Sequence, residues 1–324
     1  MPSLKEIKGR IASVNSTRKI TSAMKMVASS KLHHAQVAIQ NMQPYEELLE
    51  HILKSFLAAE AESQTIYDQV RPVKRAALVV FTSNSSLCGG FNANTIKMML
   101  NAINEYDKTI GRDNVEIYPI GRKVYEKANK MGLKVQGEFS ALADKPNVQQ
   151  CIEIAMELGK KFADGEIDKV ELIYHHFKSA GSQVLTRKTF LPIDVESELN
   201  ADHERDLTSM VATKESQEYL KKRGERESRR EGDEEVKPLN DNFIVEPDMD
   251  TVLSQLIPKL AHLSLYTALL DSNASEHAAR MVAMQTATDN ADELLRELNL
   301  QYNKSRQQAI TSELLDIVGG SVNN

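Results

Sequence analysis

The segment of the sequence best placed to hold a ligand is residues 85–92, SSLCGGFN. It follows an apolar run, Ala76–Thr82, and precedes a helical pattern. Nucleotide folds set a phosphate against a helix N-terminus at that place. The residues match neither G-x-G-x-x-G nor G-x-x-x-x-G-K-[ST], and no lysine follows to reach a phosphate. Gly89 and Gly90 fit a tight turn that needs backbone freedom. Cys88 would need a base beside it to act as a nucleophile, and the neighbouring sequence offers none.

The histidines are His33-His34, His175-His176 and the single residues His51, His203, His262 and His277. They do not combine into a metal-ligand spacing. His175 and His176 adjoin on a predicted strand and so face opposite sides of it. The two cysteines, Cys88 and Cys151, form no CxxC or Cys/His pattern, so neither a disulfide framework nor a zinc site is expected, and a reducing compartment fits. These residues predict no catalytic group, no cofactor and no metal.

Charge is the stronger signal. Between Glu6 and Glu46 there is no acid, and the interval carries Lys8, Arg10, Arg18, Lys19, Lys25 and Lys31. A solvated helix ordinarily mixes signs, so this one points to an acidic partner: nucleic acid, anionic lipid or an acidic protein channel. The whole chain carries a net charge of −6, against a dedicated nucleic-acid binder. A helix lying on a membrane would show bulky Phe, Trp or Leu on its apolar face, and here that face is Ile, Val, Met and Ala. No signal peptide and no membrane span are expected, since no apolar run is long enough.

The elements that must position these residues follow from periodicity. Apolar or small residues recur at three- and four-residue steps at Leu4, Ile7, Ile11, Val14, Ile20, Met24, Val27, Leu32, Ala35, Ile39 and Met42. That predicts a long helix with a phase slip after Val14, a kink or new start at Pro44, and a second stretch to about residue 61. A second seam runs Leu263, Thr267, Leu270, Ala274, His277, Met281, Met284, Thr288, Ala291, Leu295, Leu298, Tyr302, Ser305 and Ala309. Its helix spans 259–318, with Gly319 and Gly320 as the stop. Each helix is apolar along one stripe, so each needs a partner, and the simplest partner is the other terminus. An ordinary bundle would need further long helices that the middle of the chain does not supply.

That middle alternates. Strands are predicted at 76–82, 115–120, 169–177 and 183–193, the last two as a hairpin, with helices near 92–106, 122–131 and 146–162. Alternation of this kind gives an α/β layer fold with a largely parallel sheet. Residues 201–235 hold 11 acids and 8 bases with few apolar residues. This predicts a charged insertion, disordered or an exposed helix held by i,i+4 pairs.

Four segments carry a resemblance: 13–28 (SVNSTRKITSAMKMVA), 86–92 (SLCGGFN), 274–284 (ASEHAARMVAM) and 309–320 (AITSELLDIVGG). In this order, and reaching both ends, they resemble the gamma subunit of F-type ATP synthase. The resemblance implies an antiparallel coiled coil of the terminal helices and a central Rossmann-like α/β domain. It implies a division into 1–61 (N-terminal shaft helix), 72–195 (Rossmann-like domain), 196–240 (charged insertion) and 241–324 (ring-facing turn and C-terminal shaft helix).

The implied function is that of a central stalk. It transmits torque between an ion-driven membrane c ring and a catalytic alpha/beta ring, binds the epsilon subunit, and has no catalytic residues of its own. No nucleic acid and no direct membrane insertion are implied, and the place is the cytoplasmic face of the bacterial inner membrane. Partner contacts are implied at Met24, Lys25, Glu246, Arg306, Gln307, Thr311 and Glu313. Arg306 and Gln307 would meet an acidic loop, and Met24 would lie at a similar height. Residues 243–248, FIVEPD, resemble the ring-facing turn, with Val245 where the family often has an aromatic. The chloroplast form carries a redox cysteine pair in its insertion, and this chain has no cysteine there. Two readings from other classes stay open on the residues alone. One is a nucleotide-using α/β enzyme with helical extensions, and the other is a coiled coil that binds nucleic acid with strong salt dependence.

Overall fold

The computed structural model describes residues 3–58, 67, 69–193, 246 and 248–322. The charged insertion, Phe243–Val245 and the predicted end of the first helical stretch near residue 61 lie outside the described residues. The chain forms two compact units, Lys31–Ala279 and Met1–Ser30 with Arg280–Asn324.

Helix α1 spans Leu4–Ala58 and runs through Pro44. It therefore neither stops nor restarts there. The sheet unit then contains β1 (Ala76–Phe81), α2 (Phe91–Asp107), β2 (Val115–Ile120), α3 (Arg122–Lys130), β3 (Lys134–Val135), α4 (Ser140–Asp144), α5 (Val148–Ala163), β4 (Lys169–Ser179) and β5 (Ser182–Leu191). Helix α6 spans Met249–Val322 with Pro258 inside. It starts ten residues before the predicted 259 and passes through Gly319 and Gly320, so the glycine pair does not end it. Glycine lowers helix stability by only about 1 kcal/mol relative to Ala and is no stop unless it takes the left-handed region.

The strand order is β3-β2-β1-β4-β5. β1 pairs in parallel with β2 and with β4, while β5 returns antiparallel to β4. β1 is buried at every position, as AALVVF predicts for a central strand covered on both faces. On one face Leu78, Val80, Ile117 and Ile173 pack against Met99 and Ile103 of α2 and Val124 of α3. On the other, Val79, Phe81, Leu172 and Tyr174 pack with Leu158 and Phe162 of α5, Leu49 of α1 and Leu260, Leu263 and Leu269 of α6. The two-residue β3 and the short α4 carry too few residues for periodicity to predict them. Asn147 caps α5, its side chain accepting from the Gln150 N–H at 3.2 Å.

In the other unit α1 and α6 pair along one stripe. Ile7, Ala28, Met284, Ala291 and Leu298 are buried, and Ile11, Val14, Arg18, Thr21, Leu295 and Tyr302 are half-buried. The α6 side of this seam is as predicted. The α1 side is not: Ile20 and Val27 are 60% and 58% exposed. The phase never slips after Val14. Steps of three and four continue through Arg18, Thr21 and Met24 to Ala28, so the seam keeps its geometry and accepts polar residues.

Candidate functional site

The C-terminal edge of the sheet is where doubly wound folds hold ligands, at the point where strand order reverses. Here that point lies between β1 and β4. The turn after β1 is tied to itself. The Ser83 N–H donates to Asn92 Oδ1 at 3.0 Å, Asn92 Nδ2 donates to Ser83 Oγ at 2.8 Å, and the Ser83 hydroxyl donates to the Ser85 carbonyl at 2.6 Å. Asn92 Nδ2 also lies 3.1 Å from Cys88 Sγ. Asn84 ties this turn to its neighbours, donating to Ser140 O and Asp144 Oδ2, both at 2.7 Å, and accepting from the Arg122 N–H at 2.8 Å. Gly89 has φ +57°, whereas Gly90 has φ −79° and needs no special freedom. The second left-handed residue of the turn is Leu87, φ +69°, which the glycine count did not predict.

Above this turn the crevice is filled by α6. Leu269, Ser272, Asn273 and Glu276 close over Phe81, Thr82, Ile120 and Ala143, leaving a cavity of about 10 Å³. That is room for about one water, against roughly 300–1,000 Å³ for a small-molecule pocket. A larger open cavity of about 390 Å³ lies between α5, β5 and α6, lined by Met156, Gly159, Phe190, Pro258 and His262 among others. Its walls are mainly apolar. Burial holds the His262 imidazole below its ordinary value.

His175 and His176 face opposite sides of β4, as their adjacency predicts. The His175 ring stacks on Phe91 at 4.4 Å, with Nδ1 3.3 Å from Thr95 Oγ1. Burial pushes its pKa down to about 4. His176 Nδ1 meets Asp271 Oδ2 of α6 at 2.7 Å. Cys151 is fully buried, and burial pushes its thiol up to about 12, which makes it a core residue rather than a nucleophile.

In the helix pair, two contacts set the register. Arg18 Nη1 meets Asp292 Oδ1 at 2.9 Å, and Thr21 Oγ1 meets Thr288 Oγ1 at 2.8 Å. Three residues forward on α1 match four residues back on α6, so the helices are antiparallel, as expected. Arg306 lies fourteen residues beyond Asp292 and is therefore level with the first turn of α1, while Met24 is level with Gln285 or Thr286. Met24 and Arg306 are not at a similar height: about twenty residues at 1.5 Å each, ~30 Å, separate them along the axis.

The predicted contact residues thus fall into separate groups. Arg306, Gln307, Thr311 and Glu313 are exposed on α6, with the Thr311 hydroxyl donating to the Gln307 carbonyl at 2.9 Å. Met24 and Lys25 are half-buried on α1, beside the exposed Met26. Glu246 is exposed. Of the polar layer of Arg18, Thr21, Thr288 and Asp292, sequence reasoning placed Thr288 on the seam and missed the other three. The signal on α1 was available: Arg18 and Thr21 continue the three-four step from Val14, once apolarity is not demanded of every seam position.

An antiparallel helix pair in one unit and, in the other, an α/β sheet whose crevice is occupied by its own helix define the class of stalk-like proteins. A family model described as ATP synthase matches residues 3–322. The ATP synthase gamma chain of Phocaeicola vulgatus is 53% identical over 322 residues, covering 99% of this chain and all of that one. That of Flavobacterium johnsoniae is 41% identical, covering 99% of this chain and 98% of its own length. The rotor of the Euglena gracilis mitochondrial ATP synthase superposes with a TM-score of 0.60 at 18% identity, covering 95% of this chain and 98% of that one. The chain belongs to the ATP synthase gamma chain family. No described helix is long and apolar enough to cross a membrane.

Proposed function

We propose that the chain is the central stalk of an F-type ATP synthase. It carries torque between an ion-driven c ring and a catalytic ring of alpha and beta subunits. It performs no chemistry itself. The observation that carries this reading is the combination of an antiparallel helix pair with a nucleotide crevice blocked by Leu269, Ser272, Asn273 and Glu276. Rotation changes nucleotide affinity in the surrounding ring only if the stalk makes different contacts with each catalytic site. The predominantly basic face of α1, with Lys8, Arg10 and Lys19 exposed, suits acidic walls.

In this reading residues 1–61 and 241–324 form the shaft and the ring-facing turn, 72–195 the α/β domain, and 196–240 a regulatory insertion. Met24, Lys25, Arg306, Gln307, Thr311 and Glu313 contact the catalytic ring, Glu246 contacts the c ring, and the epsilon subunit binds at the sheet-domain end. The complex sits with this chain at the cytoplasmic face of the bacterial inner membrane. An affinity tag on the chain should copurify alpha, beta, epsilon and c subunits from membranes, and the isolated chain should bind no ATP at equilibrium. Recovery of the tagged chain without the other subunits, or stoichiometric ATP binding by the chain alone, would overturn the reading. Deleting 197–238 should leave assembly and synthesis intact and change hydrolysis or its inhibition.

A further inference from the structure

Two turns of α6 hold an unusual run of buried polar residues: Asp271, Ser272, Ser275, Glu276 and His277. A helix packed on a sheet ordinarily fills such positions with Leu or Ala. Burying polar groups is costly unless they are matched, so the bonds they make show what the run is for. Three side chains of this segment bond away from α6 into the sheet domain. Asp271 Oδ2 takes the His176 Nδ1 contact at 2.7 Å. The Ser275 hydroxyl donates to the His175 carbonyl at 3.2 Å, on the part of β4 that extends beyond its last pair with β1. Asn273 Nδ2 donates to the Ala143 carbonyl of α4 at 2.8 Å.

Their directions matter. At 3.6 residues per turn, Asp271 and Ser275 lie about 40° apart around the helix, and Asn273 lies about 160° from both. β4 holds one side of α6 and α4 holds the other. Apolar packing is non-directional and lets a smooth helix roll. Hydrogen bonds weaken steeply off their axis. A directional contact on each side opposes rotation of α6 about its own axis in either sense, which packing alone would resist poorly.

We infer that Asp271, Asn273 and Ser275 form a torque-bearing joint that locks α6 to the α/β domain, so that turning the domain turns the helix. This rests on the stalk reading above. The three act as positioning residues: they touch no nucleotide and work through the rigidity of α6.

The test uses assembled complexes in native membranes and single complexes fixed to a surface. Asn273→Ala/Ser275→Ala should hydrolyse ATP without load at the parental rate. Its ATP synthesis against an ion gradient should fall about tenfold or more, the size expected from losing two hydrogen bonds under load. The angular spread of a probe attached to the chain should widen. Asp271→Leu should act likewise, and Asp271→Asn, which keeps an acceptor for His176, should restore parental behaviour. If the double variant does not assemble, Asn273→Ala alone, at a half-buried position, is measured the same way. An unchanged synthesis-to-hydrolysis ratio and unchanged angular spread overturn the joint while leaving the stalk reading intact. A parental chain that does not rotate within a ring overturns the stalk reading itself.

Discussion

Thr21 of α1 and Thr288 of α6 meet hydroxyl to hydroxyl at 2.8 Å, one turn from the Arg18–Asp292 contact. Each hydroxyl can also donate within its own helix, Thr21 to the Arg18 carbonyl at 3.0 Å and Thr288 to the Met284 carbonyl at 2.8 Å. The cross-helix bond therefore adds little stability, since either partner has an alternative. The Arg18–Asp292 pair is about 40% exposed on each side, and such pairs contribute roughly 0–1 kcal/mol. What the layer supplies is register: a one-turn slip would part Arg18 from Asp292 and, depending on its direction, set Asp292 against Val14 or Arg18 against Leu295.

Register is directly testable with cysteines. Thr21→Cys/Thr288→Cys should cross-link efficiently under mild oxidation, because two hydroxyls at 2.8 Å place their Cβ atoms near disulfide range. Met24→Cys/Arg306→Cys should not cross-link within one chain. The native Cys88 and Cys151 are buried, so non-reducing gels of the double variants give a clean readout. A Met24–Arg306 cross-link would mean that the register is wrong.

His175 predicts acid sensitivity of the sheet unit. Its folded pKa is held down to about 4 by burial, from an ordinary 6.5. Between those values the unfolded chain binds a proton that the folded chain refuses, so stability falls as pH drops from about 6.5 to about 4 and levels off below. Urea unfolding should show a loss of about 2 kcal/mol between pH 7 and pH 5 from this residue. His175→Gln should flatten that part of the pH profile, and an unaltered profile would remove His175 as its source.

Gly121 holds the turn between β2 and α3 at φ +108°, and a Cβ there would lie 2.0 Å from the Thr82 carbonyl oxygen. The obstacle is backbone at the end of the central strand, where the Thr82 N–H donates to the Ile120 carbonyl at 2.8 Å, so it cannot move aside cheaply. Gly121→Ala should destabilise the chain by about 3 kcal/mol or more. Gly132, with φ +65° and open space around it, should cost about 1 kcal/mol on the same change, from backbone strain alone. Thermal melting of the two variants side by side checks the contrast.

The central strands β1, β2 and β4 were legible because they are buried almost throughout. AALVVF is buried throughout and reads as a central strand without help, and the His175-His176 alternation follows from strand geometry alone. On α6 the seam was legible even through Thr288 and Ser305, because the three-four step held, whereas on α1 it was legible only where apolar residues mark it. Ile20 and Val27 misled because apolar character was equated with burial, whereas half-buried Arg18 and Thr21 occupy the true stripe. The joint at Asp271, Asn273 and Ser275 was invisible for a different reason. Its partners, His176, the His175 carbonyl and the Ala143 carbonyl, lie roughly 95 to 130 residues away in sequence, and hydrogen bonds to backbone carbonyls leave no residue-type signature.

The register also changes what is expected of the residues proposed to face the catalytic ring. Arg306 and Gln307 are exposed on α6, so Arg306→Ala and Gln307→Ala should leave melting temperature within error. Each removes donors suited to a carboxylate partner: Arg a planar fork, Gln an amide. A charge-assisted contact contributes about 1.5–3 kcal/mol, enough to change rates by roughly tenfold or more, so coupling of hydrolysis to ion pumping should weaken. Met24→Lys acts at another height. It adds a cation beside the half-buried Lys25 on a face already basic, which should create an attraction to acidic walls that the parental side chain is proposed to slide past. Because ~30 Å of helix separates the two positions, their effects should be independent and add in free energy. The check is the pumping-to-hydrolysis ratio of assembled complexes carrying Met24→Lys, Arg306→Ala and both. A double variant that departs from the product of the single-variant ratios would show that the two positions meet the same wall, and the separation inferred from Arg18–Asp292 and Thr21–Thr288 would then not hold in the working complex.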